Sequence, residues 1–587
     1  MNKISKRSAP SRLRQLSALS LAVGAVVYSS TVNAQLTQNI TIGNPKALGL
    51  AHAVTADPPG IDSIHFNPAG LAKIKGRQRI VKVLGAHMLI EGEIGENQAP
   101  SSTKTAFCGI SRGKDAGCED QSFADSVWDL EVGSDQGIAG EKSSTSTPLL
   151  MLPGGGLTEI PFMIVPVGGI AIEDPNYGWT FATAAYSPMA IGYQRDSSER
   201  IAILDANGND TGVGKRVGGD PGELQGQDVA IARITYFSPS IGIQVTDELA
   251  IGASIGFSWH GFGIVTDFRA PLTTLAFLGD LEGDINQTNI DALNGLLSVI
   301  NPFDFVGELS MEMEDALSLS FNVGLLWEPT EWISFGAVYQ SEATADMEGD
   351  FKMVNTDEFV NTTSSLSHSN LDILVALTGD ERFNAVKVEK GSVTSEQIVP
   401  AHIALGTSVK VFPNLKVNVD VKWTEYSAWD ELTFKFDGAV DFLTLSSVIN
   451  AFIGEDNADS RELRIPRNYE DVVSWAIGAE YQYNDNLVLR MGYEPRGSAI
   501  PDDAVDLLVP LAESDLYSFG FGYQLDSYSR VDASIAYLHS EFSAGIGESK
   551  NANDTQEGQV VYNPYGGSTL SGSVDAYIFA LSYEEKF

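Results

Sequence analysis

The stretch from Leu415 to Trp423 reads Leu-Lys-Val-Asn-Val-Asp-Val-Lys-Trp. An extended backbone sends successive side chains to opposite faces. Leu415, Val417, Val419, Val421 and Trp423 therefore share one face, and Lys416, Asn418, Asp420 and Lys422 share the other. One side is wholly apolar and the other wholly polar. A strand of a soluble sandwich alternates too, but here the pattern recurs to the last residue with aromatic ends, which points to a sheet whose oily side meets lipid.

Working outward, the same period returns in Val473, Trp475, Ile477, Ala479 and Tyr481, in Leu487, Leu489, Met491 and Tyr493, and in Tyr517, Phe519, Phe521 and Tyr523. Extended segments run from 77–92 to 570–587, among them 159–172, 331–353, 396–411, 415–438 and 469–483. They predict about fourteen strands, an even number as single-chain outer-membrane barrels require. The connections alternate between tight, such as Phe412-Pro413-Asn414 and Asn484-Asp485-Asn486, and long, such as 93–158, 269–306 and 354–395. That regularity suits an all-β transmembrane barrel, residues 77–587, with both termini on the periplasmic side. In the last strand Tyr577, Phe579, Leu581, Tyr583 and the terminal Phe587 share a face, and in lipid this strand must close against the first one. A terminal aromatic there is similar to the signal read by the barrel assembly machinery.

The chain has 587 residues and a formal net charge of −40. That balance excludes a nucleic-acid binder, which needs a basic face. The mean hydropathy of −0.03 does not exclude a membrane, because alternating strands average out. Residues 1–34 read as a signal peptide: a basic head from Lys3 to Arg14, an apolar core from Leu16 to Tyr28, and Val32-Asn33-Ala34 before Gln35. Export also bears on the two cysteines, Cys108 and Cys118, which an oxidising compartment would join; two idle thiols are the alternative. No metal-ligand cluster or cofactor motif is visible. Surface carboxylates could bridge to lipopolysaccharide or merely keep the loops soluble.

Residues 35–76 follow neither period. Gly43-Asn44-Pro45, Asp57-Pro58-Pro59-Gly60 and Asn67-Pro68-Ala69-Gly70 are turn formers, so a compact, irregular segment is expected. In the third strand the alternation of Trp179, Phe181, Thr183 and Ala185 stops at Tyr186-Ser187-Pro188. Proline cannot donate to a ladder, and a closed barrel has no edge, so a bulge or a break in pairing is required there. The connection 269–306 carries Leu272, Leu275, Phe277, Leu278, Leu293, Leu296, Leu297, Phe303 and Phe305, with partly helical spacing. Such a patch either binds an apolar ligand or packs on neighbouring loops.

These stretches, together with Gly49-Leu50-Ala51, Tyr177-Gly178-Trp179, Tyr339-Gln340-Ser341 and Trp423-Thr424-Glu425-Tyr426-Ser427, resemble the FadL/TodX family of outer-membrane channels for long-chain fatty acids and other hydrophobic compounds. The resemblance spans most of the mature chain. It implies a fourteen-stranded barrel plugged by an N-terminal hatch, here 35–76 with Asn67, Pro68 and Ala69 at the matching motif. It further implies capture of a hydrophobic small molecule in an apolar loop groove, lateral release at the third-strand kink, and a monomer. Arg269 and Lys435 lie where the family carries basic residues that would meet a carboxylate, although the parity set by Val417–Trp423 turns Lys435 outward. Arg233, Lys416, Lys422 and Arg490 read as lumen charges paired with Asp and Glu. A general diffusion porin is the main rival, and it would need a wet constriction rather than a stoppered lumen. An outer-membrane lipid-acting enzyme is the second; His260 lies on an inward face, but no catalytic spacing surrounds it.

Overall fold

The computed structural model describes residues 39–95, 101, 104–105, 108, 117–131, 142–160, 163–195, 220–269, 305–357, 359–361, 363, 385–445, 447, 459–554 and 565–587. The strands are β1 (Arg77–Ile94), β2 (Lys142–Leu152), β3 (Gly156–Glu159), β4 (Met163–Asp174), β5 (Trp179–Arg195), β6 (Asp228–Phe237), β7 (Ser240–Gln244), β8 (Leu249–Arg269) and β9 (Phe305–Thr330). There follow β10 (Ile333–Gln340), β11 (Ala343–Asn355), β12 (Val388–Val399), β13 (His402–Phe412), β14 (Leu415–Thr424), β15 (Glu431–Phe436), β16 (Glu462–Pro466) and β17 (Val472–Gln482). The last are β18 (Leu487–Arg496), β19 (Ser514–Gln524), β20 (Ser529–Ala544) and β21 (Leu570–Lys586). All pairings are antiparallel, and β1 closes on β21 from Gln78↔Lys586 to Ile94↔Leu570. Among the described residues they make one closed barrel of fourteen staves, five of which are broken in two.

The breaks correct the continuous strands expected at 331–353, 396–411, 415–438 and 469–483. Ser341-Glu342, Pro400-Ala401, Glu425–Asp430 and Arg467–Asp471 interrupt these staves, and Ser238-Pro239 interrupts the fourth. Proline removes a ladder donor at two of these points. The second stave also differs from the expected 159–172. It enters as β2, leaves the wall as a hairpin through Pro153-Gly154-Gly155, returns as β3, and continues as β4. Serines and threonines at 142–147 carry no apolar alternation, which is why they read as loop. In the first long connection a helix spans Gln121–Glu131, and Cys108 and Cys118 are joined with their Cα atoms 5.6 Å apart.

The strand β9 fixes the height of the lipid. Leu317, Leu319, Phe321, Val323, Leu325 and Trp327 project outward and are exposed, while Ser318, Ser320 and Asn322 face the lumen. Above a register shift opposite Ser258 and His260 the parity inverts. There Glu308, Glu312 and Glu314 face out and Leu309, Met311 and Met313 are buried inside. Neighbouring β11 agrees, with Asp346, Glu348 and Asp350 outside and Met347, Phe351 and Met353 inside. The eleven positions from Leu317 to Trp327 match the length of a tilted membrane strand. Above them the barrel stands in water and holds an apolar core.

Residues 40–74 form short helical turns, Ile40–Ile42, Pro45–Gly49, Gly60–Asp62, Ser63–Phe66 and Pro68–Lys73, and nearly all of this segment is buried. Proline opens two of them at a position where its missing N–H costs nothing, and Asn44 and Asn67 cap them. Lumen-facing glycines make room for it. A Cβ at Gly252 would stand 2.2 Å from the carbonyl carbon of Pro68, and one at Gly336 would stand 2.1 Å from the Thr55 oxygen.

Val323→Arg, on the lipid face, should cost about 2–4 kcal/mol of stability in refolding into lipid vesicles. Asp350→Arg, above the band, should stay within about 0.5 kcal/mol. Equal losses at the two positions would disprove the placement of the band.

Candidate functional site

The polar face of Leu415–Trp423 meets the N-terminal segment, not bulk water. Lys416 Nζ lies 2.5 Å from Asp57 Oδ2 and 2.9 Å from Glu480. Asn418 Nδ2 donates to Ala53 O at 2.9 Å, and Asp420 Oδ2 accepts from the Val54 and Thr55 amides at 2.8 Å each. Lys422 pairs with Glu494 at 2.8 Å, and Glu494 also takes His52 Nδ1 at 3.0 Å. Ala51 and His52 hold positive φ angles of 47° and 60°, a conformation that costs an ordinary residue about 1–3 kcal/mol. On the opposite wall Lys82 reaches Asp62 at 2.7 Å, and Asp62 accepts from Asn44. Asn67 is fully buried: Oδ1 caps Ala69, while Nδ2 donates to Thr55 O and to Leu325 O.

Above this floor lie two contiguous cavities that share Met189 and Trp429. The lower spans about 710 Å³, part of it open to solvent, and is lined by His65, Tyr186, Pro188, Arg233, Ser320, Asn322 and Gln340 among others. The upper holds about 1050 Å³, part of it open to solvent, between Ile191, Tyr193, Val229, Phe262, Ile398, Leu432, Leu508 and Leu511. Polar groups thus gather at the lower end and apolar ones at the upper: along β6 the cavity-lining positions pass from Thr235 and Arg233 to Ile231 and Val229.

The sequence-predicted kink borders the lower cavity. The β5–β6 register slips between Tyr186 and Met189. On its other edge β5 pairs with β4 only up to Ala185↔Gly168 and next with β2 at Tyr193↔Pro148. Among the described residues, Tyr186–Gly192 therefore have no ladder partner on that edge. The floor holds the kink directly: Thr41 Oγ1 donates to Ser187 O at 2.9 Å, and the rings of His65 and Tyr186 stand 5.3 Å apart.

Of the four lumen cations named from sequence, three are paired, Lys416 and Lys422 as above and Arg490 with Glu480 and Asp532. Arg233 differs. Its guanidinium donates to Ser320 Oγ at 2.8 Å and to Ser258 Oγ at 3.4 Å, and among the described residues it has no carboxylate within ion-pair distance. It lines the lower cavity. Sequence alone could not single it out, because pairing is decided by neighbours on other strands. Lys435 is corrected: it is exposed on the outer face between the inward Phe434 and Phe436, since the parity of β14 carries through into β15. The side chains of Arg269 and Phe305, at the ends of β8 and β9, and all of Leu272, Leu275, Phe277, Leu278, Leu293, Leu296, Leu297 and Phe303 lie outside the described residues. His260 is buried opposite Arg233 in the β6–β8 ladder.

The family profile described as outer membrane protein transport protein (OMPP1/FadL/TodX) matches residues 24–587. The chain belongs to the FadL/TodX family. No curated protein sequence matches it. Among solved structures, a Pseudomonas aeruginosa FadL homologue superposes with a TM-score of 0.60 at 16% identity, covering 95% of this chain and 100% of that one. The Pseudomonas putida toluene transporter TodX gives 0.52 at 14% identity over 92% and 98%. The Ralstonia pickettii toluene transporter TbuX gives 0.51 at 15% over 94% and 99%. At these identities the likeness establishes the fold, and the family match establishes an outer-membrane transport protein for hydrophobic compounds.

In this FadL/TodX barrel the Asp57–Lys416 ion pair between floor and wall survives acid. Burial by itself would raise the Asp57 carboxyl, but Lys416 and Lys46 outweigh it and bring the group down to about 2. A carboxylate held below its free value of about 3.9 contributes fully above that pH and loses its contribution as pH falls through about 2. Pepsin should therefore leave residues 39–76 intact at pH 4 and cut them only as the pH approaches 2; cleavage already at pH 4 would refute the latch.

Proposed function

We propose that the protein is a channel, not an enzyme, and that it takes up long-chain fatty acids or similar amphiphiles bearing an acid head group. The observation that carries this reading is Arg233, a cation that has no carboxylate partner among the described residues and stands at the polar end of a cavity whose other end is apolar. A neutral hydrocarbon gives no reason for such a residue, whereas a buried carboxylate needs a cation to offset its desolvation. The cargo would lie with its head group toward Arg233, Ser320 and Asn322 and its chain upward past Met189 and Trp429. The outer connection 269–306 would gather it from the medium. The floor, residues 35–76, would act as a hatch, and small movements of Thr41 and His65 would shift the strand that they hold at Ser187 and Tyr186. Release would be sideways through the unpaired edge at Tyr186-Ser187-Pro188.

Arg233→Gln should weaken binding of a long-chain fatty acid by roughly ten- to hundredfold, the value of one or two hydrogen bonds to a charged group. Binding of toluene should hardly change. Loss of both to the same degree would sink the acid-cargo reading. Removal of 35–76 separates the hatched channel from a diffusion porin. A planar bilayer should show new conductance to small ions after the deletion, and a protein that conducts equally before and after is a porin.

A further inference from the structure

The unpaired edge of β5 is covered from outside. The β2–β3 hairpin, residues 149–160, leaves the wall where the β4 ladder ends and folds over the outer surface at the upper rim of the lipid band. One of its faces presents Leu150, Leu152 and Ile160 to Ala190 on β5 and Ala86 on β1, the strands on either side of the interruption. Its other face presents Leu149, Met151 and Leu157 to Ala230, Ala232 and Trp259.

The outer wall beneath it is shaped to receive it. Lipid-facing positions of β9 carry Leu and Phe, but under the hairpin the outward positions are Ala190, Gly192, Ala230, Ala232, Gly261 and Gly263. A Cβ at Gly263 would stand 2.6 Å from Leu157 Cγ, one at Gly261 2.6 Å from Met151 Cγ, and one at Gly192 2.3 Å from the Leu149 oxygen. Such small residues would be a poor surface for acyl chains and are a close seat for a hairpin.

The hairpin is seated by apolar packing, with few hydrogen bonds to the wall. The ladder of the hairpin is internal, from Leu149↔Glu159 to Leu152↔Gly156. Its tip is held by two long bonds to carboxylates, Gly154 N to Glu314 at 3.2 Å and Leu157 N to Glu312 at 3.4 Å. Both are exposed and near the long end of the hydrogen-bond range, so the two together weigh little against a strand ladder.

We propose that the 149–160 hairpin is the gate of the lateral opening: seated, it closes the interruption between β4 and β5 against lipid; lifted from its alanine and glycine seat, it lets cargo pass from the lower cavity into the outer leaflet. The proposal rests on the transport reading given above. It adds a moving part to an opening that a kinked strand alone would leave ajar.

The test uses the full-length protein in lipid vesicles carrying an energy-transfer acceptor, with cis-parinaric acid as one probe and neutral pyrene as the other. In Leu150→Cys/Ala190→Cys the oxidised bond pins the hairpin. Transfer of a bound probe to lipid should slow at least tenfold, with binding changed less than twofold, and reductant should restore it. Unmodified protein under the same reductant controls for the Cys108–Cys118 bond. Gly263→Val pushes Leu157 off its seat and should speed transfer at least threefold. Transfer at the unmodified rate in the pinned protein overturns the gate. So does an unchanged rate in Gly263→Val if the engineered bond does not form. Failure of the unmodified protein to bind cis-parinaric acid while it passes pyrene would overturn the acid cargo and leave the gate to be read from pyrene.

Discussion

A barrel in lipid turns its polar side chains inward, and those charges then need partners in a space that bulk water fills poorly. The ion pairs between strand and N-terminal segment meet that need here. Lys416 with Asp57, Asp420 with the Val54 and Thr55 amides, Glu494 with His52 and Lys422, and Lys82 with Asp62 tie the segment to opposite sides of the wall. Removing one member of such a buried pair leaves the other uncompensated, which costs more than the pair itself gains. The lumen charges and the segment therefore specify each other. A strand with this polar face would not be stable around an empty pore without other ligands for Asp420 and Lys422.

The second constraint is the height at which β9 inverts its parity. Below it the interior is polar and filled by the segment; above it the interior is apolar and filled by side chains of the strands and loops. A cavity at the junction inherits both characters, polar from Ser320, Asn322 and Arg233 and apolar from Phe262, Leu432 and Leu508. An amphiphilic site thus follows from the change of solvent outside the barrel, with no dedicated binding domain. The breaks near Ser341, Pro400, Glu425 and Arg467 also lie near this junction, and residues beside them line the cavities.

Much of this was legible in the sequence. The lipid face of Leu415–Trp423, the closing strand, the irregular first segment and the interruption at Pro188 are local patterns, and each is reported by its own residues. The inverted upper part was not legible, because Glu308-Leu-Ser-Met-Glu-Met-Glu314 alternates as cleanly as Leu317–Trp327 and nothing local says which parity faces lipid. The hairpin was hidden in a long connection whose Ser and Thr residues carry no period. Arg233 and Lys435 show the same limit for the site. Parity alone turned Lys435 outward, yet whether an inward arginine is paired depends on residues of three other strands.

The floor, the kink and the cavity share contacts rather than merely proximity. Ser187 is held by Thr41 through its carbonyl and by its own hydroxyl to Met189 and Arg233 backbone oxygens. The Arg233 side chain lines the same cavity as Tyr186, which stands against His65 of the floor. A ligand that draws the guanidinium away from Ser320 therefore acts on the strand whose backbone Ser187 grips, and through Ser187 on Thr41. Coupling of this kind needs only that the kink have two arrangements. A stretch of β5 that has no ladder partner on one edge among the described residues has the freedom to supply them, since a fully paired strand could not move without breaking its bonds on both sides.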